Sequence, residues 1–281
     1  MEQSKYLKEL HKTQIEILDE IDRVCKENDI KYFLIGGTLL GAVRHKGFIP
    51  WDDDVDIGML REDYEKFKKI CLDNKALSNK YFLHCFETDN NYYLPFIKVR
   101  KNNTTFNEKM IEKLNTHKGI FVDIFPFENV NKLGSFFNKL RAYFILNACD
   151  AIKCKLGIMN VNNCRRKYVV KCLMVFNISF LHKFIDNLLS KKCRKKAKYA
   201  CCIISGSNPF AEYIDYNKSF PLIDIDFENN RYPCFNNYDI YLKSTYGDYM
   251  QLPPEDKRIT HMPVFVSFKK GKNMKTKRKI K

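Results

Sequence analysis

The sequence predicts an α+β fold in which a basic helical region interrupts a core of short strands and helices. Three observations carry this. Leu7, Leu10, Ile17, Leu18, Ile21 and Cys25 recur at helical spacing over residues 4–28, with charges between them. The stretches KYFLIGG, DVDIGML, YFLHCFE, LPFIKVRKNNTTF and GIFVDIFPFE are short and apolar and read as strands, the third and fourth as an antiparallel hairpin or meander. From residue 132 to 199 the text turns helical, cysteine-rich and strongly basic. The expected organisation is a core over 1–131, a basic helical insertion over 132–199, a return to the core over 200–268 and a disordered basic tail over 269–281.

Within the core, KYFLIGG ends at Gly36-Gly37, and TLLGAVRHKG fits a helix with Thr38 as its N-cap. FIPW is a turn, because Pro50 drives Ile49 towards an extended conformation. REDYEKFKKICLD is a helix with Tyr64, Phe67 and Cys71 on one face. GIFVDIFPFE carries a single carboxylate, Asp123, and Pro126 closes it.

The formal net charge is +16, from 49 Lys and Arg against 33 Asp and Glu. Such a charge attracts nucleic acid, anionic lipid or phosphorylated small molecules without choosing among them. Zinc-finger, RNA-recognition and GXXG patterns are missing, so nucleic acid is not the expected partner. The eleven cysteines form no Cys-x-x-Cys pair and read as reduced thiols of a cytoplasmic protein. The first ten residues lack an apolar signal region, and no apolar run has the length of a membrane span.

The chemistry concentrates in residues 34–60, LIGGTLLGAVRHKGFIPWDDDVDIGML, where Asp52, Asp53, Asp54 and Asp56 fall among apolar residues. Along a strand, Asp54 and Asp56 share a face, roughly 6.5–7 Å apart along the backbone, while Val55 points to the core. Magnesium favours one or two carboxylates plus phosphate oxygens, so the pair suits a metal–phosphate ligand. Backbone N–H groups at Gly36-Gly37, at the mouth of a helix, can approach a phosphate. Asp123 is either a third metal ligand on a neighbouring strand or the partner of a buried arginine. Taken singly, an acidic loop is an ordinary solvated surface and a Gly-Gly pair an ordinary turn. Together, strand, Gly-Gly, helix, turn, Asp-hydrophobic-Asp strand and a distant lone Asp follow the logic of the nucleotidyltransferase fold, the DNA polymerase β-like palm.

The stretch GTLLGAVRHKGFIPWDDDVDIGM closely resembles the defining motif of the LicD family, which includes phosphocholine transferases and fukutin-related ribitol-phosphate transferases. The similarity continues through IKVRKNNTTF, GIFVDIFPFE and YGDYMQLPPEDKRITHMP. The resemblance implies transfer of a substituted phosphate, such as phosphocholine, from a CDP-linked donor to a hydroxyl of a glycan or lipid-linked glycan, with release of CMP. It implies Mg2+ or Mn2+ held by Asp54, Asp56 and Asp123, with Asp52 as a base or a group behind the ligands.

Arg44, Lys98 and Arg100 are expected to complete a diphosphate clamp with Gly36, Gly37 and Thr38; for Lys98 and Arg100 an ordinary solvated strand face stands as the alternative. His45, His261 or one of the aspartates takes the acceptor proton. Asp248 and Lys257 are candidates for shaping the donor pocket. Within the insertion, YVVKCLMVFNISFLHKFIDNLL either lies along an anionic membrane at the inner face of the cell or packs into a core of its own. Rival readings are a small nucleotidyltransferase using NTP and a non-catalytic basic binding protein.

Overall fold

The computed structural model describes residues 2–189, 197–204, 210–258, 263–269 and 272–275. In chain order its elements are α1 (Glu2–Glu27), β1 (Phe33–Leu34), α2 (Gly36–His45), β2 (Asp56–Leu60), α3 (Arg61–Asp73), β3 (Tyr81–His84), β4 (Ile97–Lys101), β5 (Thr105–Asn107), β6 (Phe121–Val130), α4 (Phe136–Lys155), α5 (Lys167–Leu173), α6 (Ile178–Leu189), β7 (Tyr199–Cys201), β8 (Tyr213–Asp215), α7 (Tyr216–Ser219), β9 (Leu222–Phe227), β10 (Asn230–Phe235), α8 (Tyr238–Tyr246), β11 (Phe265–Lys269) and β12 (Lys272–Lys275).

A mixed sheet organises the chain. β2 and β6 are parallel neighbours; β1 flanks β2, and β4 then β3 flank β6, all antiparallel. β7 continues from the far half of β6 and carries β8. Helices together with a largely antiparallel sheet make the α+β class expected from the sequence. The apolar stripe of α1 is buried and packs on β4 and β6. α3 buries Tyr64, Phe67 and Cys71, the face its period predicts. The β9–β10 hairpin closes over β1 and α2, with Phe235 4.6 Å from Phe33 and Phe227 4.9 Å from Phe48, ring centre to ring centre.

Two expectations need correction. Pro126 does not end β6, which runs on to Val130. The Asp123 N–H bonds to Val55 on the β2 side, so alternation turns the Pro126 nitrogen towards β4. The β4 pairing has already stopped at Ile124, so the missing N–H interrupts no ladder there. The expected disordered tail is in part a strand: Lys272–Lys275 pairs with β11, which in turn pairs with β5. Backbone pairing to a strand of the core orders a segment that its composition alone would leave free.

The helical insertion packs into the protein. α4 buries Ala142, Ile145, Ala148, Cys149, Ala151 and Ile152, and α6 buries Leu181, Ile185 and Leu189. Glu128 on β6 fastens this region to the sheet. Its carboxylate, 3 % exposed, is held by Arg61 at the head of α3, with Nε at 2.8 Å, and by Arg141 of α4 at 3.2 Å. Arg141 also donates to the carbonyls of Leu188 and Leu189 at the end of α6. Removing the acid takes from both confined guanidiniums the buried counter-charge they share and leaves Arg61 only the more exposed Glu65. Glu128→Gln is expected to destabilise the protein by roughly 3–5 kcal/mol, measured by urea unfolding. A loss within error of zero would show that the triad does not fasten the insertion.

Candidate active site

The sheet register sets out a row of ionisable side chains. Asp56 on β2 is the partner of Asp123 on β6, Asp123 of Lys98 on β4, and Lys98 of His84 on β3. Register partners point to one face. Lys98 Nζ lies 2.6 Å from Asp123 Oδ1 and donates to Oδ2 at 2.8 Å. Lys98 is buried, and so is Arg100 two residues on, so neither sits on a solvated strand face. Arg100 is committed within the fold: its Nε donates to His84 Nδ1 at 2.7 Å and one terminal nitrogen to the Gly119 carbonyl at 2.7 Å. Of the two expected clamp residues on this strand, only Lys98 meets the acidic cluster directly.

β2 begins at Asp56, so Asp52, Asp53 and Asp54 lie in the loop before it rather than along the strand. One carboxylate oxygen from each of these three lies within 4.8 Å of the others. Helix α1 fixes the loop: His11 Nε2 lies 2.8 Å from the Asp52 carbonyl, and Gln14 Nε2 donates to the Asp53 carbonyl at 2.8 Å. These two anchors stand 41 and 39 residues upstream, beyond the reach of a local pattern.

The Gly-Gly pair has a steric reason. A Cβ at Gly37 would stand 2.6 Å from Asp52 Oδ2, and one at Gly36 would stand 3.3 Å from Asp56 Oδ2. Gly36 also has φ +54. The carboxylates therefore reach the backbone at the N-terminus of α2, where the helix dipole favours negative charge. Thr38 is not the N-cap of α2; Ile35 occupies that place without a side-chain bond. Thr38 Oγ1 instead accepts the Asp56 N–H at 2.8 Å, tying the helix to the start of β2. The Gly36 N–H donates to the Tyr241 hydroxyl at 3.1 Å, which donates to Glu212 at 2.9 Å.

The carboxylates raise one another's pKa. Burial, then Asp54 and Asp53, push Asp52 up to about 8. Burial, then Asp54, Asp123 and Asp52, push Asp56 well above the carboxylate range, with Lys98 opposing. Burial raises Asp123 to about 6 even though Lys98 pulls it down. Lys98 is thus set against Asp52, Asp54, Asp56 and Asp123 together. A crowded acidic set at a glycine backbone fits a hard divalent cation, which accepts several carboxylate oxygens at once.

A basic and aromatic group gathers at the C-terminal end of α2, around Trp51, the residue before Asp52. Arg44 donates to the carbonyl of Tyr249 at 3.0 Å, and its Nε donates to His45 Nε2 at 3.0 Å. Burial and Arg44 lower the His45 pKa. A neutral imidazole accepting at Nε2 carries its hydrogen on Nδ1, so His45 is not set to take a proton here. The Arg258 guanidinium sits 5.0 Å from the Trp51 ring centre. A Cβ at Gly36 would stand 3.8 Å from the Tyr246 hydroxyl as well as 3.3 Å from Asp56 Oδ2, which places this phenol at the cluster. From YGDYM and EDKR the structure brings Tyr246 and Arg258 to the site. Asp248 and Lys257 are exposed, Asp248 accepting from Gln251 at 2.5 Å. His261 lies outside the described residues.

Residues 29–144 match the family described as LicD/FKTN/FKRP, nucleotidyltransferase domain. This segment is a LicD-family domain. The resemblance read from the motif is borne out. The chain is 26 % identical over 263 residues to the lipopolysaccharide cholinephosphotransferase LicD of Haemophilus influenzae, covering 91 % of this chain and 95 % of that protein. It is 59 % identical over 40 residues to the ribitol 5-phosphate transferase FKRP of Homo sapiens, covering 14 % of this chain and 8 % of that protein.

Replacing Asp56 by the neutral amide removes the cost of holding that carboxyl in the crowded set, charged or protonated, without touching the Thr38 bond, which uses the Asp56 backbone. In EDTA, Asp56→Asn is expected to raise the melting temperature by about 2–4 °C. A lowered melting temperature would show that the carboxylates stabilise one another through contacts that outweigh their repulsion.

Proposed function

We propose that this chain is a metal-dependent phosphotransferase built on a polymerase β-like palm. It moves a substituted phosphate, phosphocholine or a similar group, from a CDP-linked donor to a hydroxyl of a glycan or lipid-linked glycan and releases CMP. The observation that carries the reading is the crowded set of Asp52, Asp54, Asp56 and Asp123 at the Gly36-Gly37 backbone. The names of the LicD and FKRP relatives support the transfer class.

Asp54, Asp56 and Asp123 would hold Mg2+ or Mn2+, and Lys98 fixes the Asp123 rotamer. When bound, the cation supplies charge neutralisation for the diphosphate and the CMP leaving group. Arg44 and Arg258 would orient the donor's phosphates; burial first and then their mutual repulsion lower the Arg44 pKa, and an anion between them would relieve that repulsion. The N–H groups of Gly37 and Thr38 lie in the first turn of α2 and have no partner within the helix, so they can receive a phosphate oxygen. The acceptor oxygen forms the new bond to phosphorus as the bond to the CMP oxygen breaks. The hydroxyl proton passes to Asp52, since His45 has its Nε2 taken by Arg44. Catalysis of this kind rests on position and electrostatics.

The test is CMP release from CDP-choline, CDP-ethanolamine, CDP-glycerol and CDP-ribitol, with Mg2+ and with EDTA. One donor is expected to yield CMP in an EDTA-sensitive way, and Asp54→Asn or Asp56→Asn to lower that rate by about 10²–10³-fold or more. Near-normal turnover in either variant would sink the metal assignment. Pyrophosphate from an NTP, with no CMP from any of these donors, would replace this reading with nucleotidyl transfer.

A further inference from the structure

The corner where α5 turns into α6 combines exposed apolar side chains with exposed cations. The two helices are bent by 111° across a short break, and no single helix among the described residues is long and apolar enough to cross a membrane. On α6, Leu181, Ile185 and Leu189 face inward and are buried. At the bend Val175 is 77 % exposed, Phe176 42 % and Phe180 47 %, and Tyr168 at the head of α5 is 72 % exposed, while Leu173, Met174 and Ile178 pack against the core. The Phe176 and Phe180 rings stack on one another at 4.6 Å and so present a single apolar knob. Exposed contiguous apolar surface of this kind is uncommon on a protein that stays in water.

The charge around the knob has one sign. Arg165, Arg166, Lys167, Lys171 and Lys183 are all exposed, and no Asp or Glu occurs from residue 165 to 185. At the opposite end of α5 from the bend, an open cleft of about 470 Å³ is lined by Tyr143, Asn162, Arg165, Arg166, Lys167 and Tyr168. Arg166 lies over the Tyr143 ring at 4.4 Å and Lys167 over the Tyr168 ring at 5.3 Å, which holds both cations at its rim. We propose that this corner docks on an anionic lipid bilayer, with Val175, Phe176 and Phe180 entering the acyl boundary and the Arg165–Lys167 cleft receiving a lipid phosphate. Short apolar insertion beside clustered cations is the arrangement that binds such interfaces, each part weak alone. Interfacial phosphates complement a face that carries only positive charge, whereas a neutral apolar partner would leave five cations unanswered.

Vesicle flotation of the full chain reads the docking directly and does not depend on the transfer chemistry. At about 150 mM salt, vesicles of phosphatidylcholine with roughly one-third phosphatidylglycerol are compared with phosphatidylcholine alone. The parent chain is expected to bind the anionic vesicles at least about tenfold more tightly. Two triple variants at exposed positions are each expected to weaken that binding by about tenfold or more with unchanged melting temperature: Val175→Ser with Phe176→Ser and Phe180→Ser, and Arg165→Gln with Arg166→Gln and Lys167→Gln. A parent chain that stays in solution with both vesicles overturns the proposal. So does either variant set binding as tightly as the parent, because the cleft and the knob are both required.

Discussion

The structure turns on a repulsion. Four aspartates converge at one end of the sheet, and Lys98, bonded to Asp123, is the cation set directly among them. Much of the surrounding architecture exists to hold that arrangement. Glycine stands at 36 and 37 because a side chain would collide with Asp56 and Asp52. His11 and Gln14 of α1 bond the carbonyls of Asp52 and Asp53, so the acidic loop cannot relax into solvent. Thr38 fastens the start of β2 to the first turn of α2. Each of these contacts opposes the outward push of like charges at low dielectric.

β6 offers an internal control. It carries two buried acids five residues apart, Asp123 and Glu128. Glu128 is answered by two arginines, and the result is a fastening between sheet and helices. Asp123 is bonded to one lysine and faces Asp54 and Asp56. The protein neutralises a buried acid with its own side chains where the role is structural. At Asp123 it leaves the sum negative, which is the condition under which a divalent cation bridging to a phosphate gains most.

What could be read from the sequence follows range. The alternation and the Gly-Gly–helix–Asp order lie within about thirty residues, so the strand–helix–strand unit, the aspartates and the helices α1 and α3 were legible. Lys98 was legible as a residue near the site, but its pairing with Asp123 depends on the strand register, which is set by tertiary pairing. Arg100 has the same local pattern as Lys98 and a different fate, because β3 offers it His84. Tyr246, Arg258, His11 and Gln14 reach the cluster from other parts of the chain, and no local period records that. Pro126 and the strand at 272–275 misled for one reason: residue preference was weighed without the partner strand that overrides it.

The central claim is that the acidic cluster is a metal site serving phosphate transfer. Anomalous scattering from crystals grown with Mn2+ and CDP would test it most directly. The account predicts a manganese peak enclosed by the carboxylates of Asp54, Asp56 and Asp123, with the diphosphate between it and Arg44. A manganese peak elsewhere, or none, with those carboxylates bonded only to protein groups, would contradict it.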